Sequence, residues 1–547
     1  MQAYSTLSVL IIDPNPHMRA GLHNMLSQLD VRQVEHAVSA GTAIRHLDKR
    51  NFDLILCEYD LGTDDGGQDG QQLLEDLRHH KVIPQSAMFI MLTTEGVYGK
   101  VVSAAELTPT DYILTPFTVD VLSQRIARAV DRRNALLPVH QMLEQGRLPE
   151  AVQASERAEA SHARYATECA RLRAEAWFAL GRTQEARAVY AGLLESRSLG
   201  WAQLGLARCQ FAERDYAATL ETLQSLLDEN PKFMAAYDLL ARTHEAIGQP
   251  EDARKALEAA VSISPHMVRR LRHLGQVAFD TGDIAAAEKT FKQVVARAKY
   301  SEFRDPEDHL NLVRTLVTRG DAAAAAGVLR DLERSSRSGP GTDACRAYSA
   351  ALIQSLNGNG PAAAAELANA AKALEAGAVL SRGMKLNVVK SCLENGLDQQ
   401  AMQMLDALTD DASSGISHAD AQAVYEKAGR SDLAHNEGDS VERYLDDLVK
   451  QAALRSGQGD QRGAVQVLKA AVKRRPENPG LMSALASAML RLMADSGWDG
   501  PLAEQCASLL VRLRKADPQH SMLAALSSQY ISLRTKSNQA SAISSAE

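Results

Sequence analysis

Aromatic residues make up only 5% of the 547-residue chain, and it has just three tryptophans. So few large flat side chains disfavour a sandwich or barrel core and favour close-packed small helices. The six cysteines, at positions 57, 169, 209, 345, 392 and 506, show no C-x-x-C spacing. Scattered single cysteines read as reduced packing residues, not as a disulfide framework or a zinc site, and point to a cytoplasmic protein. No run approaches the roughly 18 uncharged apolar residues that a bilayer span needs, and MQAYSTLSVLIID lacks the basic flank of a secretion signal. A large excess of positive charge is also missing. The formal net charge of −8 argues against a general nucleic-acid binder. The short basic run HMVRRLRH has no wider basic surface around it. No Walker loop, G-x-S-x-G, H-E-x-x-H or kinase, cyclase or phosphodiesterase signature occurs, so no enzyme activity is expected.

A chain this long exceeds what one hydrophobic core supports, so several domains or a repeat array are expected. Residues 1–134 alternate strand and helix. LSVLII (Leu7–Ile12) is an apolar, β-branched run of the kind buried on both faces of a parallel sheet. Similar runs predict strands at Val31–Ala37, Asp53–Glu58, Ala87–Leu92 and Asp111–Leu114. Helical spacing begins after Asp13 and recurs at Ala40–Arg50, Gln71–His80, Val97–Ala105 and Val119–Asp131. Five such units imply a doubly wound α/β domain of five parallel strands. Its functional crevice belongs at the carboxyl ends of the strands, beside Asp13, Glu58, Thr93 and Thr115. The loop GTDDGGQDG (62–70) does not carry acids at calcium-loop spacing and reads as a mobile surface loop.

VLIIDPNPHMR, LILCEYDLG with DGQQLLEDLR, IMLTTE and DYILTPF together resemble a response-regulator receiver domain of the chemotaxis type over about residues 5–134. That resemblance implies a magnesium-dependent phosphorylation pocket. Two adjacent acids would follow the first strand, an acceptor aspartate the third, a hydroxyl the fourth, and a lysine before proline the fifth. This chain keeps Asp13, the switch hydroxyl Thr93 and the switch aromatic Tyr112. It carries Pro14 in place of the second acid, Glu58 at the acceptor position, and Thr115 in place of the lysine. A cis bond is expected before Pro116. The pattern implies an inactive receiver, with at most a weak magnesium site at Asp13 and Glu58 and no other cofactor. Glu58 either imitates a phosphorylated aspartate through a permanent charge or is a tolerated polar residue. Asp60 is a spare carboxylate, but using it would slip the third strand by two residues, which a doubly covered sheet resists.

From residue 135 to 535 the strand signals give way to a repeat. A turn residue precedes an alanine by five positions and an aromatic or leucine by nine. Examples are Gly181, Ala186, Tyr190; Gly248, Ala253, Leu257; and Gly282, Ala287, Phe291. Arg214, Gly248 and Gly282 are 34 residues apart, and Pro231 and Pro265 close second helices. These segments are similar to tetratricopeptide repeats, which implies an all-α superhelical solenoid of about eight to ten hairpins. It is best matched over 165–300 and irregular over 410–458, and a disordered tail is expected at 536–547. Run back from each turn, the first helices place Trp201, Arg208, Phe211, Arg242, Arg269, Arg272 and Arg314 on the concave face. Guanidinium groups with interleaved aromatics suit an acidic peptide or helix, although solvated arginines on an alanine-rich array would look the same. The expectation is a non-catalytic signalling adaptor that binds protein partners through the groove, with homodimerisation through the α/β domain. The alternative is a working phosphorelay regulator with the repeats as its output.

Overall fold

The computed structural model describes residues 4–62, 69–94, 109–265, 267–298, 304–335, 339–411, 414–433, 448–474, 478–517 and 520–544. The chain divides into two compact units, Met1–Arg337 and Ser338–Glu547.

In the first unit, strands β1 (Ser8–Ile12), β2 (Gln33–Ala37), β3 (Leu54–Glu58), β4 (Met88–Thr93) and β5 (Asp111–Leu114) form one parallel sheet in the order β2-β1-β3-β4-β5. Four of the five strands start one or two residues later than the sequence reading placed them. The register runs Val9 against Leu54, Leu54 against Met88, and Ile90 against Asp111. Residues from Val9 to Ile12 and from Leu54 to Cys57 are fully buried, because helices cover both faces. These helices include α1 (Pro16–Gln28), α2 (Ala40–Leu47) and α3 (Gly70–His79). The expected helix Val97–Ala105 lies outside the described residues.

The next helix departs from expectation. Helix α4 runs unbroken over Val119–Glu144 with Pro138 inside it, so no break separates the α/β domain from the helical hairpins at residue 134. Its first half packs Leu122, Ile126 and Ala129 on the sheet. Its second half buries Leu136 and Val139 against Ala154, Ala158, Cys169 and Leu172 of the first hairpins. Burial on both halves holds the helix together across a residue that cannot donate a backbone hydrogen bond.

The hairpins follow as α5 (Leu148–Ser161), α6 (Ala166–Ala179), α7 (Thr183–Ser196), α8 (Gly200–Ala212), α9 (Tyr216–Glu229), α10 (Met234–Ala246), α11 (Pro250–Ile263), α12 (Val268–Asp280), α13 (Ile284–Ala298), α14 (Pro306–Arg319) and α15 (Ala322–Ser335). Turn residues Gly146, Gly181, Gly248, Gly282 and Gly320 all have positive φ, and Arg214 takes the same role at φ 63°. That conformation is strained for a side chain carrying a Cβ, which is why glycine marks the other turns. Close approach between helices also needs small residues. A Cβ on Gly275 would sit 2.7 Å from the Phe291 ring, and one on Gly205 2.4 Å from Tyr190.

In the second unit, helical pairs continue at Pro340–Leu356 with Gly360–Glu375 and at Arg382–Glu394 with Asp398–Asp410. The segment read as irregular contains the helix His418–Lys427, and residues 434–447 lie outside the described part. The last helix extends over Leu523–Ser544, so the tail placed as disordered from 536 is helical as far as Ser544. TKSNQASAIS contains no glycine or proline to stop it. All six cysteines are buried, and none forms a disulfide. Among the described residues no helix is long and apolar enough to cross a membrane.

Candidate functional site

The carboxyl ends of β1, β3, β4 and β5 bring Asp13, Glu58, Thr93 and Thr115 to one edge of the sheet. Asp13 is 1% exposed. Its Oδ1 accepts from the Asn15 N–H at 2.7 Å, while its Oδ2 is buried with no hydrogen-bond partner. Burial raises its pKa, against the Asn15 hydrogen bond and the charge of Arg19. Pro14 contributes only its carbonyl, which accepts from Arg19 Nη1 at 2.9 Å.

Glu58 ends β3 opposite Leu92 and is half-buried. Its Oε1 accepts from the Asp60 N–H at 3.3 Å. Burial pushes its pKa up to about 7, and the neighbouring Asp13 and Asp60 charges add to the rise. Of the two readings of Glu58, the one through a permanent charge is disfavoured by this shift. Near neutral pH this carboxyl is only partly ionised, because desolvation and like charges both disfavour the anion.

Asp60 is exposed beyond the strand and its Oδ1 accepts from the Gly62 N–H at 3.0 Å. Thr93 is 1% exposed, and Thr115 donates to the Thr93 carbonyl through its N–H at 2.9 Å and its hydroxyl at 3.3 Å. The Thr115–Pro116 bond is cis, as expected. Tyr112 is half-buried against the core that holds Phe89 and Met91.

Residues 63–68 of the loop expected to be mobile lie outside the described residues. Its end is built into the fold. Asp69 caps α3 by accepting from the Gln72 N–H at 2.7 Å. A Cβ on Gly70 would lie 2.6 Å from the Glu58 carbonyl oxygen. The sequence signal for this was the D-x-x-Q capping box at Asp69 and Gln72.

The donors do not fit the magnesium site that the resemblance implies. Asp13 and Glu58 are two carboxylates, Pro14 has no side-chain oxygen, and no group of three metal-binding residue types gathers among the described residues. Where that pattern calls for a lysine, Thr115 brings no cation.

The seven concave-face residues do not form one open groove. Arg208, Arg269 and Arg272 line a cavity of about 880 Å³ whose other wall is the α/β domain. Arg272 is committed to Asp308 by two bonds of 2.6 and 2.8 Å, and Asp308 is 1% exposed. Arg269 and Arg270 share Asp238 at 3.3 and 3.0 Å. Trp201 packs edge-on to Tyr190, with Arg171 5.7 Å from its ring centroid. Arg242 lies 5.3 Å over Phe211, and Arg314 lies 4.8 Å over Phe279. In both pairs a guanidinium covers an aromatic ring of the preceding repeat. Sequence reasoning passed over Arg270, the most buried of these arginines at 2% exposure.

Residues 9–127 match the response regulator receiver domain family. Residues 210–265, 239–302 and 272–341 match tetratricopeptide repeat families. The chain joins a response regulator receiver to tetratricopeptide repeats. The chemotaxis protein CheY of Pseudomonas aeruginosa is 27% identical over 128 residues, 23% of this chain and 99% of that protein. CheY-3 of Vibrio cholerae is 25% identical over 126 residues, 23% of this chain and 93% of that protein. Among solved structures, the chemotaxis response regulator CheY4 of Vibrio cholerae is similar at TM-score 0.21 and 22% identity, covering 23% of this chain and 99% of that one. A tetratricopeptide repeat protein from Parabacteroides merdae is similar at TM-score 0.32 and 15% identity, covering 45% of this chain and 92% of that one. A receiver followed by such repeats suggests two-component signalling with protein interaction, and both domain types are generally non-catalytic.

Proposed function

We propose that the chain is a non-catalytic signalling adaptor whose receiver is held for contact and whose repeats bind a protein partner. One observation carries this reading. The acceptor position at the end of β3 is a glutamate that burial holds only partly ionised, flanked by Pro14 and Thr115 in place of an acid and a cation. Such a pocket has neither the metal ligands nor the positive charge that would stabilise a transferring phosphoryl group. The solenoid supplies the binding surface. Arg242 with Phe211 and Arg314 with Phe279 offer a guanidinium over a ring at two places along the stack, a surface suited to an acidic or aromatic-bearing peptide. Arg269 and Arg272, already paired with aspartates, contribute less to it.

The test is direct. The full chain is incubated with magnesium and acetyl phosphate and its intact mass is recorded. The expected result is no stoichiometric gain of the about 80 Da that a phosphoryl group adds. A full gain that disappears in Asp60→Ala or Glu58→Ala overturns the reading in favour of a phosphorelay regulator. Partner capture that survives Glu58→Gln but is lost in Arg242→Ala/Arg314→Ala would place recognition on the repeats.

A further inference from the structure

The receiver and the repeats face each other across the cavity of about 880 Å³. Its repeat wall is one side of three helices: Arg171 and Glu175 of α6, Arg208 of α8, and Arg269 and Arg272 of α12. The facing wall is the last turn of α3 and residues 80–88 after it, and α4 closes a third side. The two walls are within electrostatic reach of each other. Burial, and then the charges of Arg269 and Arg272, lower the pKa of His79 at the end of α3. The receiver therefore stands over the inner face of the repeats, the face that carries Arg208, Arg269 and Arg272.

That position bears on the partner surface. Phe211 follows Arg208 by three residues on α8, and Phe279 follows Arg272 by seven on α12. Both spacings return to the same side of a helix, about 4.5 and 10.5 Å further along its axis. The two guanidinium–ring pairs, Arg242 with Phe211 and Arg314 with Phe279, thus continue the strip over which the receiver stands. The strip has an open end at the rings and a covered end at the cavity.

The cover is anchored through α4. Both apolar clusters of the receiver are built from residues 4–130. The cluster that ties α4 to the first hairpins takes Leu136 and Val139 from its second half. Between the facing walls there is space in place of packing, whereas protein interiors leave few voids larger than a water molecule. Lifting the receiver off α6, α8 and α12 therefore exposes little apolar surface at the cavity. What resists the movement is the burial of α4 in two cores.

We propose that the receiver is an autoinhibitory cover on the repeats, which shuts partner segments out of the strip at Arg208, Arg269 and Arg272 until α4 yields and the receiver lifts away. The proposal rests on the reading of the repeats as the partner-binding surface and names how that surface is regulated. The occupant is the chain's own domain, so the exclusion is steric. It needs neither a phosphoryl group at Glu58 nor a ligand in the cavity.

Thiol labelling of the full chain reads the cover directly. All six native cysteines are buried, so an introduced thiol reports its own site. Arg208→Cys and Arg269→Cys each place a thiol under the cover, and Arg270 still holds Asp238 in the second. Lys255→Cys, at a side chain 69% exposed on α11, is the open reference. Each variant is reacted with N-ethylmaleimide and with a maleimide on a long polyethylene glycol chain too large for the cavity. The ratio of the two rates cancels the reactivity of the thiol itself. The expected ratio of long to short reagent is at least about tenfold lower at both covered positions, as for a lifted state that is a minor part of the population. Leu136→Gly/Leu137→Gly, added to each variant, should return the ratio to the reference value. A ratio equal to the reference at either covered position of the chain with α4 intact overturns the proposal. So does protection that persists in the glycine variant once its radius of gyration has grown. No partner enters the experiment, so the two readings fail separately. An open strip with a captured partner sinks the cover alone, and a covered strip with no partner captured sinks the adaptor reading alone.

Discussion

Glu58 offers the sharpest quantitative prediction, because its charge state separates a phosphate mimic from an inert polar residue. Its pKa in the folded chain is raised from 4.5 to about 7. The folded state therefore holds the proton more tightly than the unfolded state does. Between those two values the unfolded chain releases the proton while the folded chain keeps it. The stabilisation this provides is complete below about pH 4.5 and is lost as pH rises through about 7. At about 1.4 kcal/mol per pKa unit the upper bound is about 3.4 kcal/mol. Glu58 keeps part of its surface in water, and screening there reduces the expected effect to about 1–2 kcal/mol. Glu58→Gln removes the titration and keeps the shape. Unfolding of wild type and Glu58→Gln is compared at pH 5 and pH 8. The variant should gain about 1–2 kcal/mol relative to wild type between the two. Asp13 is shifted the same way by burial and is present in both chains, so the difference reads Glu58 together with its coupling to Asp13. A carboxyl carbon titration of Glu58, assigned by its loss in the variant, should show a midpoint near 7. A midpoint near 4.5, or a wild-type-to-variant difference that does not move with pH, refutes the reasoning and restores a permanently charged Glu58.

Three further outcomes follow from packing and charge. Arg272→Ala leaves Asp308 buried without its bidentate partner, and should cost about 3–5 kcal/mol, read as a lowered melting temperature of the full chain. A partner-binding loss in that variant would therefore report misfolding and not recognition. Gly70→Ala drives a Cβ to within 2.6 Å of the Glu58 carbonyl, a backbone atom with little room to yield. The expected cost is about 1–3 kcal/mol, measured by chemical denaturation, and an unchanged midpoint would contradict the packing. Replacing Leu136 and Leu137 with glycine removes the buried Leu136 side chain and lowers helix propensity by about 1 kcal/mol per residue. Small-angle scattering should then show a larger radius of gyration than wild type, and an identical profile would mean that α4 does not fix the receiver on the repeats.

Parts of this molecule were legible from the sequence because their physics is local. A strand covered on both faces must be apolar throughout, so LSVLII and LILC declare themselves. A turn needing positive φ selects glycine, so Gly181, Gly248 and Gly282 mark the repeat. The identities of Pro14, Glu58 and Thr115 were equally plain. What escaped depends on partners distant in the chain. Pro138 reads as a helix breaker, and only the burial of Leu136 and Val139 on another element explains why α4 continues. Helical spacing places Arg269 and Arg272 on the inner face but cannot say that Asp238 and Asp308, 31 and 36 residues away, already hold them. Nor does spacing reveal that Glu58, an ordinary acid in sequence, sits where desolvation suppresses its charge.

The continuous helix gives the receiver a direct mechanical connection to the repeats. α4 begins at Val119, four residues past Thr115 at the altered pocket, and ends at Glu144, which accepts from the Gln85 N–H at 2.7 Å at the other end of the sheet. Twenty-six helical residues span about 39 Å. Along that length Arg133 bonds Asp53 of the receiver at 2.9 Å, and Arg132 bonds Glu168 of the repeats at 2.7 Å. Adjacent residues of one rigid element thus grip both domains. A displacement of α4 acts on both contacts at once. Signal transfer through such an element requires two arrangements of α4 that differ in these ion pairs. It does not require a phosphoryl group at Glu58.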